Sequence, residues 1–522
     1  MTAAEADRRL DEYTRTLLDE LFASAETPRP SDAGTVAEVR ALYEAASAGG
    51  LTGPVVRLFQ RLRTLRKAEN LTPDVLGLSR VNLIDLALRH QEIDEHGVTV
   101  GGRVGRALSI VEEADRRVEE YLRRKDSEAP SGIELWERLQ KNISRVRKAL
   151  GMSRSDWESY GGQSRYAIGD VETLARVIDL PARMTAEAAR AARNNPMRLT
   201  PYYASLIQPG TINDPCLLQS VPTGEMAGDA EIDISPAADG HSPARLVDQV
   251  YPRTATIKTT AMCAMFCTHC PRPTRIGRED RVYTEAAYAE ALDYIRNNHR
   301  VRDVLVTGGD ALVLPNAVIR KLLSALDGIE HVRLKRLGTR MPVTAPQRID
   351  DELLDILAAS NAIKPLRVVT QINTAQEITP LSKDAFRRIS DSVSAVLNQA
   401  VLLKGINDTR VKMWKLCETV QESCVRPYYL FNCSHQNPRF AHLRVPIKVG
   451  RDLVESMYGN ISGDAIPRYI VSAGGKIPLH RSNVVSREGD TLMLRKPWND
   501  ELVNYPDADP LCYRESRFAF DK

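Results

Sequence analysis

Apolar positions recur at two different periods along this chain, and the place where the period changes divides it. Over residues 1–130 the spacing is helical. Leu10, Tyr13, Leu17 and Leu21, with Leu18 and Phe22, share one face, as do Val36, Val39 and Tyr43 before Gly49-Gly50 supplies a stop. Ile110, Ala114, Val118 and Leu122 continue the period up to Arg123-Arg124-Lys125, and Ala129-Pro130-Ser131-Gly132 then reads as a linker. A second helical stretch covers 131–245, with Trp136, Leu139, Ile143 and Val146 on one stripe. It loosens at Thr200-Pro201-Tyr202-Tyr203 and Asp214-Pro215 and ends in a Gly/Pro/Ser-containing connection from Gly224 to Pro243.

From about 254, strand-like runs alternate with helix-like ones. The strands fall at 254–259, 303–307, 331–337, 365–372, 399–403 and 425–431. The helices between them include Thr284 to Asn297, Ala317 to Leu326, Asp350 to Ala359, Ser382 to Val393 and Val411 to Gln421. Six βα units of this length predict an α/β fold whose parallel sheet curls into a barrel or partial (βα)6 barrel. Chemistry in such barrels gathers at the C-terminal strand ends. Further on, Pro467 to Val471 reads as another strand and Asn483 to Leu494 as a hairpin around Gly489-Asp490. The expected organisation is a helical N-terminal extension (1–130), a helical lead-in (131–245), the barrel (246–472) and a C-terminal segment (473–522).

Composition narrows the class. The 522 residues are 43% hydrophobic, and 71 basic against 68 acidic residues leave a net charge of +3. So even a balance argues against nucleic acid or an anionic membrane surface as the main partner. The basic run Arg57, Arg61, Arg63, Arg66 and Lys67 is read as a solvated helix face. No secretory signal opens the chain and no apolar run is long enough to span a bilayer, so a cytoplasmic protein is expected. Of eight cysteines, Cys216, Cys417, Cys424, Cys433 and Cys512 show no disulfide pattern.

The other three carry chemistry. Cys263, Cys267 and Cys270, spaced C-x3-C-x2-C directly after the first strand, can converge three thiolates on one inorganic centre. A [4Fe-4S] cluster with one iron left open and a zinc site completed by His269 or a distant residue both fit that spacing. Gly308-Gly309-Asp310 ends the second strand, where it is either a plain turn or a close backbone approach to a ligand bearing an ammonium group. Lys476, after Gly474-Gly475, is a solvated loop lysine or an imine-forming amine. Arg272, between Pro271 and Pro273, is a surface arginine or a rigid carboxylate grip.

Taken in order, these residues resemble the lysine 2,3-aminomutase family of radical S-adenosylmethionine (SAM) enzymes. The resemblance covers roughly residues 132–510. It includes the Thr200 to Tyr203 and Asp214-Pro215 motifs, Tyr251-Pro252, the cysteine triplet, Gly308-Gly309-Asp310, Arg336 to Val343, Pro346 to Ile349, Gln399 to Leu403, Gly405 to Asp408, Val425 to Tyr429 and Gly475 to Pro478. It implies a [4Fe-4S] cluster on Cys263, Cys267 and Cys270 whose free iron binds SAM. It also implies help for the SAM amino group from Gly308, Gly309 and Asp310, pyridoxal phosphate (PLP) on Lys476 with Tyr251 beside it, and a substrate carboxylate on Arg272. The implied reaction moves an α-amino group to the β-carbon, an isomerisation. An electron donor such as flavodoxin or ferredoxin and a homo-oligomeric state come with it.

Three departures qualify the substrate. Ser434 and Ser472 stand where lysine-specific members place aspartates, and a buried ammonium without a carboxylate is costly, so free lysine is disfavoured. The family's zinc-binding cysteine cluster is absent from the tail, where only Cys512 remains, and no zinc is expected. Val250 and Thr254 replace two arginines around Tyr251, with Arg253 as a candidate substitute. His435, His480 and Arg481 are candidate side-chain readers for a polar or acidic substrate. The expected function is a PLP-dependent radical SAM 2,3-aminomutase. The competing readings are elimination or another rearrangement on the same cofactors and, in a different class, a non-catalytic iron-sulfur or zinc regulator.

Overall fold

The strand-forming runs of the second half assemble into one sheet in simple chain order. In the computed structural model, which describes residues 12–23, 32–48, 52–91, 100–226, 241–270, 283–435 and 438–508, its strands are β1 (Val247–Tyr251), β2 (Thr254–Lys258), β3 (Asp303–Thr307), β4 (Leu334–Gly338), β5 (Leu366–Thr370), β6 (Ala395–Leu402), β7 (Arg426–Asn432), β8 (Arg468–Ser472) and β9 (Lys476–Pro478). Every pairing from β2 to β8 is parallel, while β1 and β9 run antiparallel to their neighbours. The parallel part thus has seven strands, one more than the six βα units of the sequence pattern, because residues 468–472 join it directly. Strand β1 was not expected at all.

The sheet curls into an open barrel. The hydroxyl of Tyr251 on β1 accepts a hydrogen bond from the backbone N–H of Lys476 on β9 at 2.7 Å, so its two outermost strands meet through a side chain. Strand periodicity explains which residues face inward. On β3, Val304 and Val306 are buried on the helical side, whereas Leu305 and Thr307 line a central cavity.

The outer helices begin where side chains can satisfy their free N–H groups. Thr284, Asp350 and Thr409 cap Glu285–Asn297, Asp351–Ile363 and Arg410–Gln421, and Thr379 forms a capping box on Pro380–Ser392. A separate antiparallel sheet of β10 (Val484–Glu488), β11 (Thr491–Arg495) and β12 (Leu502–Pro506) follows, turning at Gly489 with φ +61°. The hairpin is where the sequence put it, and β12 is an addition. Tyr505 on β12 donates to Asn432 Oδ1 at 2.8 Å and so braces the end of β7.

The chain divides into two compact units, Met1–Val118 and Glu119–Lys522. The boundary falls inside the helix Val100–Glu128 rather than at the Ala129–Gly132 linker. In the first unit the helices Glu12–Phe22, Ala33–Ser47, Thr52–Glu69 and Arg80–Gln91 bury Leu17, Leu21, Val39, Leu58, Phe59, Leu62 and Leu83 in one core. Two members of its basic run have acidic partners: Arg61 bonds Glu38 at 2.8 Å and Arg63 lies 3.8 Å from Glu20. Leu10, Tyr13's side chain, Gly49-Gly50, most of the Gly224 to Pro243 connection, Arg272 and Cys512 lie outside the described residues. Among the described residues no helix is long and apolar enough to cross a membrane.

Candidate active site

The loop after β2 carries the cysteine triplet to the C-terminal mouth of the barrel. Cys263, Cys267 and Cys270 all line one cavity of about 410 Å3, together with Gly308, Gly309, Asp310, Arg340, Thr370, Phe431, Ser434 and Ser472. None of the seven described cysteines is in a disulfide. Among the described residues no three His, Cys, Asp or Glu side chains could share a single metal ion. A cubane cluster would place a different iron at each thiolate, and the three thiols open into the same cavity. His269 does not complete a zinc set. It is buried, its Nε2 lies 3.3 Å from Asn373 Nδ2, and burial, then Arg340, hold its pKa down to about 3.

Gly308-Gly309-Asp310 works chiefly as scaffold for this loop. Gly309 N–H donates to Thr260 O at 2.6 Å and Asp310 N–H to Met262 O at 2.8 Å. A Cβ on Gly309 would sit 2.0 Å from Met262 O, so only glycine permits the approach. The Asp310 carboxylate is buried and accepts from Thr339 Oγ1 (2.6 Å), Leu312 N–H (2.9 Å) and Arg340 N–H (2.6 Å). Burial raises its pKa, and these donors act against that rise.

Beneath the cysteines lies a polar network whose roles the sequence reading did not assign. Arg340 donates from Nη1 to Cys267 Sγ (2.8 Å), from Nε to Gln371 O (3.1 Å), and from Nη2 to Gln219 Oε1 (2.6 Å) and Glu377 Oε1 (2.5 Å). Glu377 Oε1 also accepts from Tyr203 OH (2.9 Å), and Oε2 accepts the N–H groups of Asn373 (2.8 Å) and Thr374 (3.2 Å). The signal for Glu377 was in the sequence as a Thr374-x-x-Glu377 capping box, which the structure forms. That pattern marks a helix start and says nothing about the arginine on the carboxylate's other oxygen.

Lys476 stands behind Phe431 and Ser472, which line the cavity away from the cysteines. It is not a loop lysine: it opens β9 opposite Ser472, after Gly474 (φ +62°) and Gly475 (φ +134°) make the turn. Its Nζ lies 4.9 Å from the Tyr429 ring centre and 5.9 Å from that of Phe431. Burial first, and Arg336 second, lower its pKa to about 8, with Asp303 opposing. Arg336 itself bonds Asp303 at 2.9 Å. Arg253, the candidate substitute for the missing arginines, is exposed, so Arg336 is the cation that bears on Lys476.

The substrate-side candidates separate. Ser434 and Ser472 both line the cavity. His480 caps the turn at Ser482, and Arg481 is 73% exposed and pairs with Glu455 at 2.8 Å; both are turned to the surface, which corrects their reading as substrate contacts. His435 packs its ring against Tyr505, 4.7 Å between centres. Arg272 lies outside the described residues.

Residues 257–413, which include the triplet and the Gly-Gly-Asp strand end, match the Radical SAM superfamily. The fold and this motif pair define a radical SAM enzyme, a class that implies a [4Fe-4S] cluster and SAM. Glutamate 2,3-aminomutase of Clostridioides difficile is 35% identical over 405 residues, 77% of this chain and 94% of that protein. The L-lysine 2,3-aminomutases of Methanococcus maripaludis (36% over 348 residues, 65% of this chain and 79% of that one) and Clostridium subterminale (34% over 367 residues, 69% and 86%) are similar as well. The chain belongs to the lysine 2,3-aminomutase family.

Proposed function

We propose that this protein is a PLP-dependent 2,3-aminomutase that converts an α-amino acid other than free lysine into its β-amino isomer. The observation that carries the reading is Lys476: a half-buried amine with a lowered pKa packs on Phe431, which lines the same cavity as Cys263, Cys267 and Cys270. The rings attract an ammonium, yet desolvation still pulls the pKa down, and an imine-forming lysine needs its neutral form at working pH.

Each residue then has a task. Cys263, Cys267 and Cys270 would hold the cluster, and the Gly308 to Asp310 strand end fixes their loop and would help hold the SAM amino group. Lys476 anchors PLP, Tyr251 fixes the Lys476 backbone, and Arg336 is the cation available to the cofactor phosphate. Thr370 offers a buried hydroxyl in the cavity wall, its Oγ1 having no partner among the described residues. Arg272 takes the substrate carboxylate. When bound, the two cofactors supply radical generation and nitrogen activation. The chain orients the reacting atoms and keeps water out with Phe431, Val401 and Leu305. Ser434 and Ser472 border the substrate side chain, where a lysine ammonium would find hydroxyls instead of carboxylates.

The test is anaerobic reconstitution with a reductant, SAM and PLP against a panel of α-amino acids. A β-amino isomer of unchanged mass, with 5′-deoxyadenosine formed and a borohydride-fixed pyridoxyl group on Lys476, is the expected result. Ammonia release, a changed product mass, or an adduct on another lysine overturns it.

A further inference from the structure

Arg340 occupies an unusual position for a guanidinium. Its side chain is 9% exposed, the Glu377 partner is 0% exposed, and one prong is aimed at a sulfur. A buried ion pair of this kind costs desolvation that its own attraction only partly offsets, so it adds little stability compared with an apolar pair. What it does provide is a fixed positive charge and a fixed donor at Cys267 Sγ. Gln219, Gln371 and Glu377 leave the fork no other orientation. Glu377 is immobilised in turn by Tyr203 and by two backbone N–H groups, so the chain of contacts from Tyr203 to the sulfur contains no exposed or freely rotating member.

We propose that Arg340, held in place by Glu377, sets the reduction potential of the cluster by donating a hydrogen bond to the Cys267 thiolate. The inference rests on the assignment of Cys267 as a cluster ligand made above. Reducing a cluster adds negative charge to its sulfurs, and a donor with positive charge at one of them favours the reduced form. Glu377 acts through Arg340 as a positioning residue, and its carboxylate tempers that effect. The two residues therefore pull the potential in opposite directions, which a purely structural role would not do.

The experiment is an EPR-monitored reductive titration of the reconstituted full chain. Arg340→Lys keeps the charge and loses the fork. It is expected to lower the reduced-to-oxidised ratio at a fixed potential about tenfold, which is about 59 mV for a one-electron couple. Glu377→Gln keeps the shape and removes the opposing charge, and is expected to raise that ratio. Tyr203→Phe removes one neutral donor from Glu377 while leaving both charges in place. It is expected to lower the ratio by a smaller factor and guards against a charged variant that fails to fold. Unchanged potentials, or Arg340→Lys and Glu377→Gln shifting the same way, overturn the proposal. Wild-type protein that takes up no cluster, or a Cys267→Ala variant that keeps a three-cysteine cluster signal, overturns the ligand assignment instead.

Discussion

The two sides of the cavity are built on opposite plans. Beneath the cysteine loop three buried charges are held by partners: Asp310 accepts three hydrogen bonds, and Arg340 and Glu377 are locked together beneath Cys267. Around Lys476 the amine faces two aromatic rings, and Ser434 and Ser472 supply only hydroxyls to the wall. The first plan fixes atoms and tolerates little change, because a buried charge stripped of its partner is strongly destabilising. The second leaves room for the group that binds there, and a hydroxyl can be exchanged for another side chain at low cost to the fold. Common chemistry belongs with the rigid side and substrate choice with the sparse one.

The sharpest way to break this contrast is to remove the amine on the sparse side. Lys476→Ala should leave cluster content and thermal stability near those of the wild type while turnover falls by roughly three orders of magnitude or more. Iron content, melting temperature and product formation measured on one preparation decide it. Substantial turnover without the amine would remove Lys476 from the chemistry. On the rigid side the effect should be reversed. Glu377→Ala leaves the Arg340 guanidinium buried without its carboxylate and should cost about 3–5 kcal/mol in chemical denaturation. A cost within about 0.5 kcal/mol, ordinary for a surface position, would show that the network is not rigid.

A smaller effect tests the substrate side. Placing carboxylates back with Ser434→Asp and Ser472→Asp together should raise kcat/KM for free lysine roughly 10- to 100-fold over the wild type, since a charged hydrogen bond contributes about 1.5–3 kcal/mol. No gain with lysine, in a variant that still holds PLP, would mean that these two positions do not read the side chain.

The same contrast explains what could be read before any coordinates. The strand period and the spacing of Cys263, Cys267 and Cys270 specify backbone geometry, and backbone geometry is written locally in the sequence. Gly308-Gly309 was legible for the same reason, since Gly309 must pass within van der Waals range of Met262 O. The Arg340–Glu377 pair was not, because its members are 37 residues apart and meet only through β4 and β5 being neighbours. Arg336 gave no local sign of its influence on Lys476 either. That influence depends on β9 folding back along β8 until Lys476 faces the barrel interior. His480 and Arg481 failed in the other direction: close in sequence to Lys476, they leave the site with the turn at Arg481–Asn483.

The smallest predicted effect concerns that long-range influence. The Lys476 pKa is lowered to about 8 by burial and then by Arg336, against an ordinary value of 10.5. Imine formation requires the neutral amine, so the rate of PLP capture by the apoprotein should rise with pH through about 8 and level off above it. Unfolded chain keeps the ordinary value and binds more protons between about 8 and 10.5, so this lysine makes stability rise with pH across that window. The measurable quantity is the difference between wild type and Lys476→Met, which cancels other titrating groups. Arg336→Leu should move the capture midpoint upward, because a neighbouring positive charge no longer disfavours the ammonium, while burial keeps it below the ordinary lysine value. A midpoint that stays at about 8 in this variant would assign the whole shift to burial, and the sparse side of the cavity would then owe its reactivity to Tyr429 and Phe431 alone.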